Sequence, residues 1–306
     1  MTNPLTALTT GRDLRGRVIV VTGASSGIGR ATASRLWARG AVVIGAARNR
    51  ERLASAAEEM PGLQVHVCDV RNSDDRRRLV ETVLAEHGRI DGLVNNAGVG
   101  WSGLVQDMPL ADVERIVETN LIGLIDLTRL VLPGMLERGD GDIVMTASVA
   151  AWFSTPPLTV YCASKFGVEG FVTGLRREVW PRGVRVHSVN PGPVSTEWLS
   201  RSGGYQPTEN DPIAKPGPGI AADHVAAVIE ASLSRRWYRT VAVPRGLGVS
   251  RLLHLQPFRG AADVVVGLNV GRITSFGRGL TAERTPGPGG GPRRVGGDRP
   301  VEELGA

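Results

Sequence analysis

Tyr161 and Lys165 lie four residues apart in the stretch YCASK of this 306-residue sequence. On a helix, residues i and i+4 share one face, so the phenol and the ammonium would be neighbours. A free tyrosine has a pKa of about 10, too high for proton exchange at neutral pH. An ammonium about 4 Å away would favour the phenolate by roughly 4 kcal/mol at an effective dielectric of about 20. We therefore predict that Lys165 lowers the pKa of Tyr161 to about 7 and that the pair transfers a proton.

The choice of lysine at this position is unusual for the chain. Lys165 and Lys215 are its two lysines, and every other basic residue among the 36 is arginine. A compact ammonium can serve both a phenol and a ribose hydroxyl, for which the planar guanidinium is a poor substitute. The composition therefore indicates a chemical requirement at Lys165.

Ser148 ends the stretch GDIVMTAS, thirteen residues before Tyr161. If that stretch is a strand, its end places the Ser148 hydroxyl over the same cleft. Negative charge that develops on a substrate oxygen needs a proton donor and a hydrogen-bond partner. We expect Ser148 to bind that oxygen beside Tyr161. The alternative is that Ser148 caps backbone in the following loop.

A glycine-rich turn, TGASSGIG, contains Gly23, Gly27 and Gly29 between a predicted strand and a predicted helix. Glycines let the backbone approach a pyrophosphate, and a helix N-terminus offers free N–H groups to it. The alternative is a tight packing turn without a ligand.

The spacing T-G-x-x-x-G-x-G, NNAG at 95–98 and Y-x-x-x-K together resemble the short-chain dehydrogenase/reductase family over residues 17 to about 245. The resemblance implies an α/β fold, a Rossmann-type doubly wound parallel sheet, and a nicotinamide cofactor. It also implies that Asn120, in ETNLIG, is a catalytic residue alongside Ser148, Tyr161 and Lys165. Asn120 would hold a water that links Lys165 to solvent.

The resemblance also implies a set of cofactor-binding residues and no metal. Asp69 would contact the adenine amino group, unless it only caps the next helix. The segment Pro191–Gly192 with Thr196 would cover the nicotinamide, while Asn95 would brace the sheet. The full set is Gly23, Ser25, Ser26, Gly27, Ile28, Gly29, Arg48, Asp69, Val70, Asn96, Ala97, Gly98, Tyr161, Lys165, Pro191, Gly192, Val194 and Thr196.

The end of the second predicted strand indicates which nicotinamide cofactor is used. An acid there would bind the ribose 2′-OH of NAD, but the strand ends with Ala47 followed by Arg48. Alanine cannot make that contact, whereas arginine can pair with a 2′-phosphate. NADP(H) is therefore preferred and NAD(H) possible. The alternative is that Arg48 is only a solvated residue at a helix start.

The elements that position these residues alternate along the chain. Gly40 and Pro61 end two of the helices, and Ser73 is expected to cap a third. Strands alternating with helices predict a parallel sheet that binds ligands at the carboxyl ends of its strands. The predicted strands are 17–22, 41–46, 63–68, 90–97, 141–148, 184–190 and 240–243, and the predicted helices are 28–38, 50–60, 73–87, 110–138, 158–179 and 222–234.

Composition bounds the remaining possibilities. The chain is 42% hydrophobic, and no apolar run reaches the roughly 18 residues of a membrane span. Cys68 and Cys162 are too few for a disulfide framework or metal cluster, and the lack of a signal peptide indicates the cytoplasm. The net charge of +6 lies mostly between 234 and 280, with eight arginines and one acid. Because the basic residues lack interleaved aromatic residues, nucleic-acid binding is disfavoured.

The chain divides into four predicted regions: an N-terminal arm (1–16), the catalytic domain (17–245), a basic extension (246–280) and a disordered tail (281–306). Residues 193–220 are predicted to form a mobile loop that covers the site. The extension could close the pocket, contact a second copy in a homodimer or homotetramer, or lie on an anionic membrane, and we favour the first two.

Aromatic residues cluster in the segments that converge on the cleft: Trp101, Trp152, Phe153 and Trp198. They favour a bulky, apolar ketone or secondary alcohol as the substrate, although ordinary loop packing is an alternative. The leading hypothesis is NADPH-dependent carbonyl reduction. Its rivals are NAD-dependent alcohol oxidation, a cofactor-sensing protein without turnover, and a basic membrane- or nucleic-acid-associated scaffold.

Overall fold

Seven parallel strands form the central sheet of the computed structural model, which describes residues 11–198, 202–204 and 219–254. The order across the sheet is β3-β2-β1-β4-β6-β7-β9, and a separate parallel pair joins β5 to β8. The strands are β1 (Val18–Thr22), β2 (Val42–Ala47), β3 (Gln64–Val67), β4 (Gly92–Asn95), β5 (Trp101–Ser102), β6 (Gly141–Thr146), β7 (Val184–Pro191), β8 (Gly203–Gly204) and β9 (Thr240–Val243).

The central strands are buried along their whole length, as a parallel sheet covered on both faces requires. Every residue of β1 (VIVVT) and of β6 (GDIVMT) is buried. The edge strand β3 (QVHV) instead alternates half-buried and exposed residues. The chain runs outward from β1 to β2 and β3 and then returns to β4 on the other side of β1. The predicted Rossmann-type doubly wound fold is confirmed, and its switch point lies between β1 and β4.

Helices cover both faces of the sheet, and each layer has its own apolar core. One core, with Leu79, Leu127, Val131 and Val168, lies under the layer of α3, α5 and α6. The other, with Leu36, Leu53 and Ile229, lies under the layer of α1, α2 and α7. The helices are α1 (Gly27–Ala38), α2 (Arg50–Glu59), α3 (Ser73–His87), α4 (Leu110–Val117), α5 (Gly123–Arg138), α6 (Thr159–Val179) and α7 (Ala222–Leu233).

The long helix predicted over 110–138 is present, but it is interrupted. A π-helical turn, Glu118–Ile122, joins α4 to α5 and contains Asn120. By length and composition alone the helix Leu110–Arg138 could cross a membrane, although it contains no uninterrupted apolar run of that length. Its residues Leu127 and Val131 pack in the core instead.

One predicted helix cap is wrong. Asn72, not Ser73, caps α3: its side chain accepts hydrogen bonds from the N–H groups of Asp74 and Asp75. Asn and Ser are comparable capping residues, so the sequence alone does not choose between neighbours. The other predicted helices and strands are present, with ends shifted by a few residues.

Both predicted flanking regions are described in part. Residues 11–16 pack on the domain: Leu14 is buried, and the N–H of Arg12 donates to the carbonyl of Ser234 at 2.6 Å. A 3₁₀ helix, Arg245–His254, begins the predicted extension, and its Leu247 packs against Trp152. Residues 255–306, with the predicted tail, and most of the predicted loop between 199 and 218 lie outside the described residues, so the domain boundaries stay predictions.

Candidate active site

Tyr161 and Lys165 lie one turn apart near the start of α6. Lys165 is only 4% exposed, and its Nζ donates a hydrogen bond to the carbonyl oxygen of Thr146 at 2.9 Å. Nζ lies 5.7 Å from the centroid of the Tyr161 ring. The helix therefore brings the two residues together, with the ammonium held by the end of β6.

The protonation states differ from the sequence-based prediction. Burial raises the pKa of Tyr161 to about 12, although a hydrogen bond with Ser148 opposes this shift. Burial also lowers the pKa of Lys165 to about 8. This direction is opposite to the prediction that Lys165 brings the pKa of Tyr161 to about 7, because desolvation is the largest influence on the phenol. At neutral pH Tyr161 is a protonated phenol.

Ser148 follows β6, and its hydroxyl serves several neighbours. Its Oγ accepts a hydrogen bond from the N–H of Ala150 at 3.1 Å and donates to the carbonyl of Pro191 at 3.4 Å. It also lies close enough to Tyr161 to lower the pKa of that phenol, against the effect of burial. Ser148 thus caps the short 3₁₀ helix Val149–Ala151, which was the alternative to a role in substrate binding. It also lies beside Tyr161, the position from which it could bind a substrate oxygen.

Asn120 is completely buried, and its side chain is fully engaged with protein. Its Oδ1 accepts from the N–H of Val99 at 2.9 Å, while Nδ2 donates to the carbonyl of Val99 at 2.9 Å and to Oγ of Ser164 at 3.1 Å. A Cβ added at Gly98 would lie 3.5 Å from Oδ1 and 3.8 Å from Nζ of Lys165. Asn120 therefore ties the NNAG segment to α6, and the water relay to Lys165 stays a prediction.

The glycine-rich turn forms a cradle at the N-terminus of α1. Gly23 and Gly27 have φ values of +70° and +53°, a region that favours glycine. A Cβ at Gly29 would lie 2.2 Å from the carbonyl oxygen of Gly23, so no larger residue fits. Open backbone beside a helix N-terminus fits the pyrophosphate of a dinucleotide. Ser25, Ser26 and Ile28 are half-buried in the same turn.

Thr22 organises this cradle, although the sequence analysis did not select it. Its Oγ1 accepts hydrogen bonds from the N–H groups of Asn96 and Ala97 at 2.9 and 3.0 Å and donates to the carbonyl of Val94. The Asn96 side chain in turn donates to the carbonyl of Thr22. The signal was present as the first letter of TGASSGIG.

Arg48 and Asp69 follow neighbouring strands, β2 and β3, at their carboxyl ends. Arg48 is exposed beside buried Ala47. Burial alone would raise the pKa of Asp69, but hydrogen bonds from Arg71 and the charge of Arg48 hold it below its usual value. Because Asn72 caps α3, the alternative role of Asp69 as a helix cap is wrong.

Val70, the next predicted cofactor residue, is buried, and its carbonyl accepts a hydrogen bond from Arg76 at 2.6 Å. Arg76 is itself only 5% exposed and also pairs with Asp126. This buried arginine, which was not among the residues predicted from the sequence, connects the segment after β3 to α5.

The predicted cover segment lies against the glycine-rich turn. Pro191 ends β7, and the N–H of Gly192 bonds to the backbone of β9 at 2.9 Å. Val194 forms a β-bridge to a later segment. A Cβ placed at Gly27 would lie 3.2 Å from the methyl carbon of Thr196. The structure thus brings these predicted residues to the mouth of the cradle.

The four aromatic residues do not converge as one group. Trp198 packs on Tyr161, with ring centroids 4.9 Å apart and a 58° tilt. Trp101 is buried in β5, and Phe153 is half-buried. Trp152 packs away from this cluster, with the guanidinium of Arg251 4.1 Å above its ring. Of the four aromatic residues, Trp198 is the one that the structure places directly against Tyr161.

Comparison with known proteins agrees with this geometry. A family model described as short chain dehydrogenase matches residues 17–204, and the chain belongs to that family. The chain is 37% identical over 187 residues to the 3-oxoacyl-(acyl-carrier-protein) reductase FabG of Thermotoga maritima, covering 60% of this chain and 76% of that relative. It is 36% identical over 250 residues to sulfoacetaldehyde reductase 2 of Chromohalobacter salexigens, covering 80% and 95%.

Two solved structures extend the likeness to cofactor complexes. A short-chain dehydrogenase/reductase from Burkholderia phymatum in complex with NAD matches with a TM-score of 0.70 and 27% identity, over 83% of this chain and 96% of that one. A metagenomic short-chain oxidoreductase in complex with NADP matches with a TM-score of 0.64 and 32% identity, over 75% and 97%. The protein is an oxidoreductase of the NAD(P)-dependent, reductase kind.

Proposed function

We propose that this protein reduces a carbonyl with NADPH and can oxidise the matching secondary alcohol in reverse. The observation that carries the proposal is the grouping of Tyr161, Ser148 and the buried ammonium of Lys165, with Ser148 close enough to affect the pKa of the phenol and Nζ 5.7 Å from the ring centroid. A bound nicotinamide would supply the hydride. The relatives named above are both called reductases, which favours the reductive direction.

In this proposal each side chain has one task. Tyr161 donates its proton to the oxygen on which negative charge develops, and its protonated phenol suits donation. Ser148 hydrogen-bonds the same oxygen and orients it. The positive charge of Lys165 stabilises the Tyr161 phenolate that remains after proton donation. The ammonium of Lys165 would also hydrogen-bond the ribose hydroxyls of the cofactor. Asn120 supports the path by which a proton returns to Lys165.

The preference for NADPH rests on the carboxyl end of β2. Arg48 is exposed there and can pair with a 2′-phosphate, while Ala47 cannot hold a ribose hydroxyl. The cradle of Gly23, Gly27 and Gly29 would hold the pyrophosphate. NAD-dependent alcohol oxidation is the alternative within the same fold.

A pair of arginine variants tests the cofactor preference. Arg48→Ala should weaken NADPH binding about 10-fold, because a charge-assisted hydrogen bond to phosphate is lost, and leave NADH binding within about 2-fold. Arg50→Ala, two residues later and equally exposed, is the matched control. The Kd of each cofactor is measured by nicotinamide fluorescence. Tighter binding of NADH than NADPH by the wild-type protein would reject the preference.

A bulky, apolar ketone is the substrate class we propose, because the indole of Trp198 stands beside Tyr161. Turnover across a graded ketone series should rise with apolar size, and Trp198→Ala should flatten that dependence. Preference for sugars or short polar carbonyls would contradict this part of the proposal.

A cofactor-sensing protein without turnover is the competing class of function, and the complete set Asn120, Ser148, Tyr161 and Lys165 argues against it.

We also propose a homodimer or homotetramer located in the cytoplasm. A groove of about 350 Å³, lined by Ile122, Ile125 and Leu130 and otherwise by polar and charged side chains, is the candidate surface for self-association. Light scattering of the purified full chain gives the oligomeric state.

A further inference from the structure

A second groove, of about 400 Å³, lies along the outer edge of the sheet at β9 and concentrates positive charge. Arg235 and Arg239 line it from the segment before β9. Arg245 and Arg251 line it from the 3₁₀ helix after β9, and Trp152 forms part of the wall. Segments before and after one strand thus contribute four arginines to the lining of one groove.

Arg239 is the most telling of these residues. Its Nε is buried and has no hydrogen-bond partner among the residues that the structure describes. Burial lowers the pKa of Arg239, and the charges of Arg235 and Arg245 add to that shift. A buried donor without an acceptor is costly, so Arg239 is held among like charges without a compensating partner for its Nε.

Protein carboxylates do little to balance this charge. Within the described chain, an oxygen of Glu169 lies 3.9 Å from Arg251, and its other oxygen accepts hydrogen bonds from Ser188 and Asn190. By contrast, the cluster of Arg12, Arg17 and Arg185 elsewhere in the fold contacts two aspartates at 2.6–3.4 Å.

The edge of β9 that faces away from β7 lines the groove with Thr240, Val241 and Ala242. The carbonyls of Arg239 and Val243 accept hydrogen bonds from the N–H groups of Ser188 and Gly192, so alternate residues along this segment face β7. In a parallel pair the residues between them turn their peptide groups the other way, which leaves those of Thr240 and Ala242 on the open edge. Backbone N–H groups beside arginines are typical ligands of phosphate oxygens.

We propose that this groove binds a phosphate-type oxyanion, carried either by a small phosphate compound or by the headgroup of an anionic lipid. The site lies at the β9 edge, separated from the cradle after β1 by the strands β4, β6 and β7, so it does not depend on the proposed cofactor site. A second copy docked through the same face would bring the four arginines against four more, which disfavours self-association there.

Calorimetry with pyrophosphate tests the site on the full chain, with saturating NADPH present to occupy the cofactor cradle. Arg245→Gln should raise the pyrophosphate Kd at least about 10-fold, because one charge-assisted contact is lost. Arg239→Gln should do the same, and exposed Arg245 keeps the test informative if the half-buried Arg239 is needed for folding. The matched control is Arg236→Gln, a neighbouring exposed arginine that does not line the groove and should change Kd less than about 2-fold.

Flotation with vesicles separates the two sources of the phosphate. Binding of pyrophosphate without binding to phosphatidylglycerol vesicles supports a small phosphate compound. Flotation with those vesicles that is lost in Arg245→Gln supports a lipid headgroup. Absence of both kinds of binding, or an equal loss in Arg236→Gln, overturns the proposal.

Discussion

Tyr161 and Lys165 differ in what the chain does to each of them. Burial favours the neutral form of both side chains, which raises the pKa of the phenol to about 12 and lowers that of the ammonium to about 8. Tyr161 therefore keeps its proton over the physiological range, while the charge of Lys165 is the one that changes near neutrality.

This difference predicts the pH dependence of carbonyl reduction. Below pH 8 Lys165 is charged and Tyr161 protonated, so kcat should be level; as pH rises through about 8, Lys165 loses its charge and kcat should fall. Lys165→Met should lower kcat and remove that descending limb. The measurement is kcat for NADPH-dependent ketone reduction between about pH 6 and pH 10. A wild-type profile that rises with pH would contradict the assignment.

At this scale the sequence predicted which residues meet but not their protonation. The i, i+4 spacing placed Tyr161 and Lys165 on one helical face, and the strand end placed Ser148 beside them. The pKa values depend on desolvation, which comes from tertiary packing around the site and has no local sequence signal. Thr22 was missed because its partners, Asn96 and Ala97, lie on a neighbouring strand end.

Among the elements, the turn between β1 and α1 has the least freedom. The carbonyl of Gly23 passes so close to Gly29 that a side chain at Gly29 would displace the turn itself. The glycines are therefore needed for the shape of the cradle before any ligand binds.

Gly29→Ala should destabilise the protein by about 1–3 kcal/mol and abolish NADPH binding, because the added methyl group overpacks the turn. Gly170→Ala is the matched control: Gly170 lies in α6 with nothing within 4 Å of an added Cβ, so the change should stabilise the helix by up to about 1 kcal/mol. Urea unfolding and cofactor titration measure both effects. Wild-type NADPH affinity in Gly29→Ala would refute this view of the cradle.

The sequence predicted the alternation of strands and helices correctly. It did not predict where a helix is interrupted. The apolar pattern from 110 to 138 predicted one continuous helix, whereas the π turn around Asn120 forms where that side chain reaches Val99 and Ser164. These hydrogen bonds join residues that are far apart in the sequence, so the spacing of apolar residues within the helix does not reveal them.

For the whole molecule, a buried ion cluster ties the N-terminal segment to the sheet. Asp142, at the start of β6, has no exposed side-chain surface and contacts Arg12 at 2.6 Å and Arg185 at 2.7 Å. Burial alone would raise its pKa, but His187 and Arg185 hold it well below its usual range. Segment 11–16, predicted as part of an arm, is thereby anchored to the domain.

Asp142→Asn should lower the free energy of unfolding by about 3–5 kcal/mol, because it removes a fully buried carboxylate and leaves Asp140 alone to balance three half-buried arginines. Since the folded pKa is depressed, the contribution of Asp142 is present above the unfolded pKa of about 3.9 and is lost as pH falls through the folded pKa. Urea unfolding at several pH values measures this, with exposed Asp107→Asn expected within about 0.5 kcal/mol of wild type. Equal stability of the two variants would contradict the role of the cluster.

The whole-molecule prediction succeeded for architecture and fell short at the β9 edge. Strand and helix alternation fixed the class of fold, since a parallel sheet covered by helices is the common packing solution for that pattern. The excess of arginine late in the chain was visible, but the groove it lines depends on segments before and after β9 meeting at one edge.

The most direct test of the central claim compares turnover and cofactor binding in Tyr161→Phe. The variant removes one hydroxyl and keeps the ring that packs on Trp198. We predict that kcat for ketone reduction falls by at least about 100-fold, the contribution of a positioned proton donor, while the NADPH Kd stays within about 2-fold of wild type. Unchanged turnover in Tyr161→Phe would contradict proton transfer by this residue.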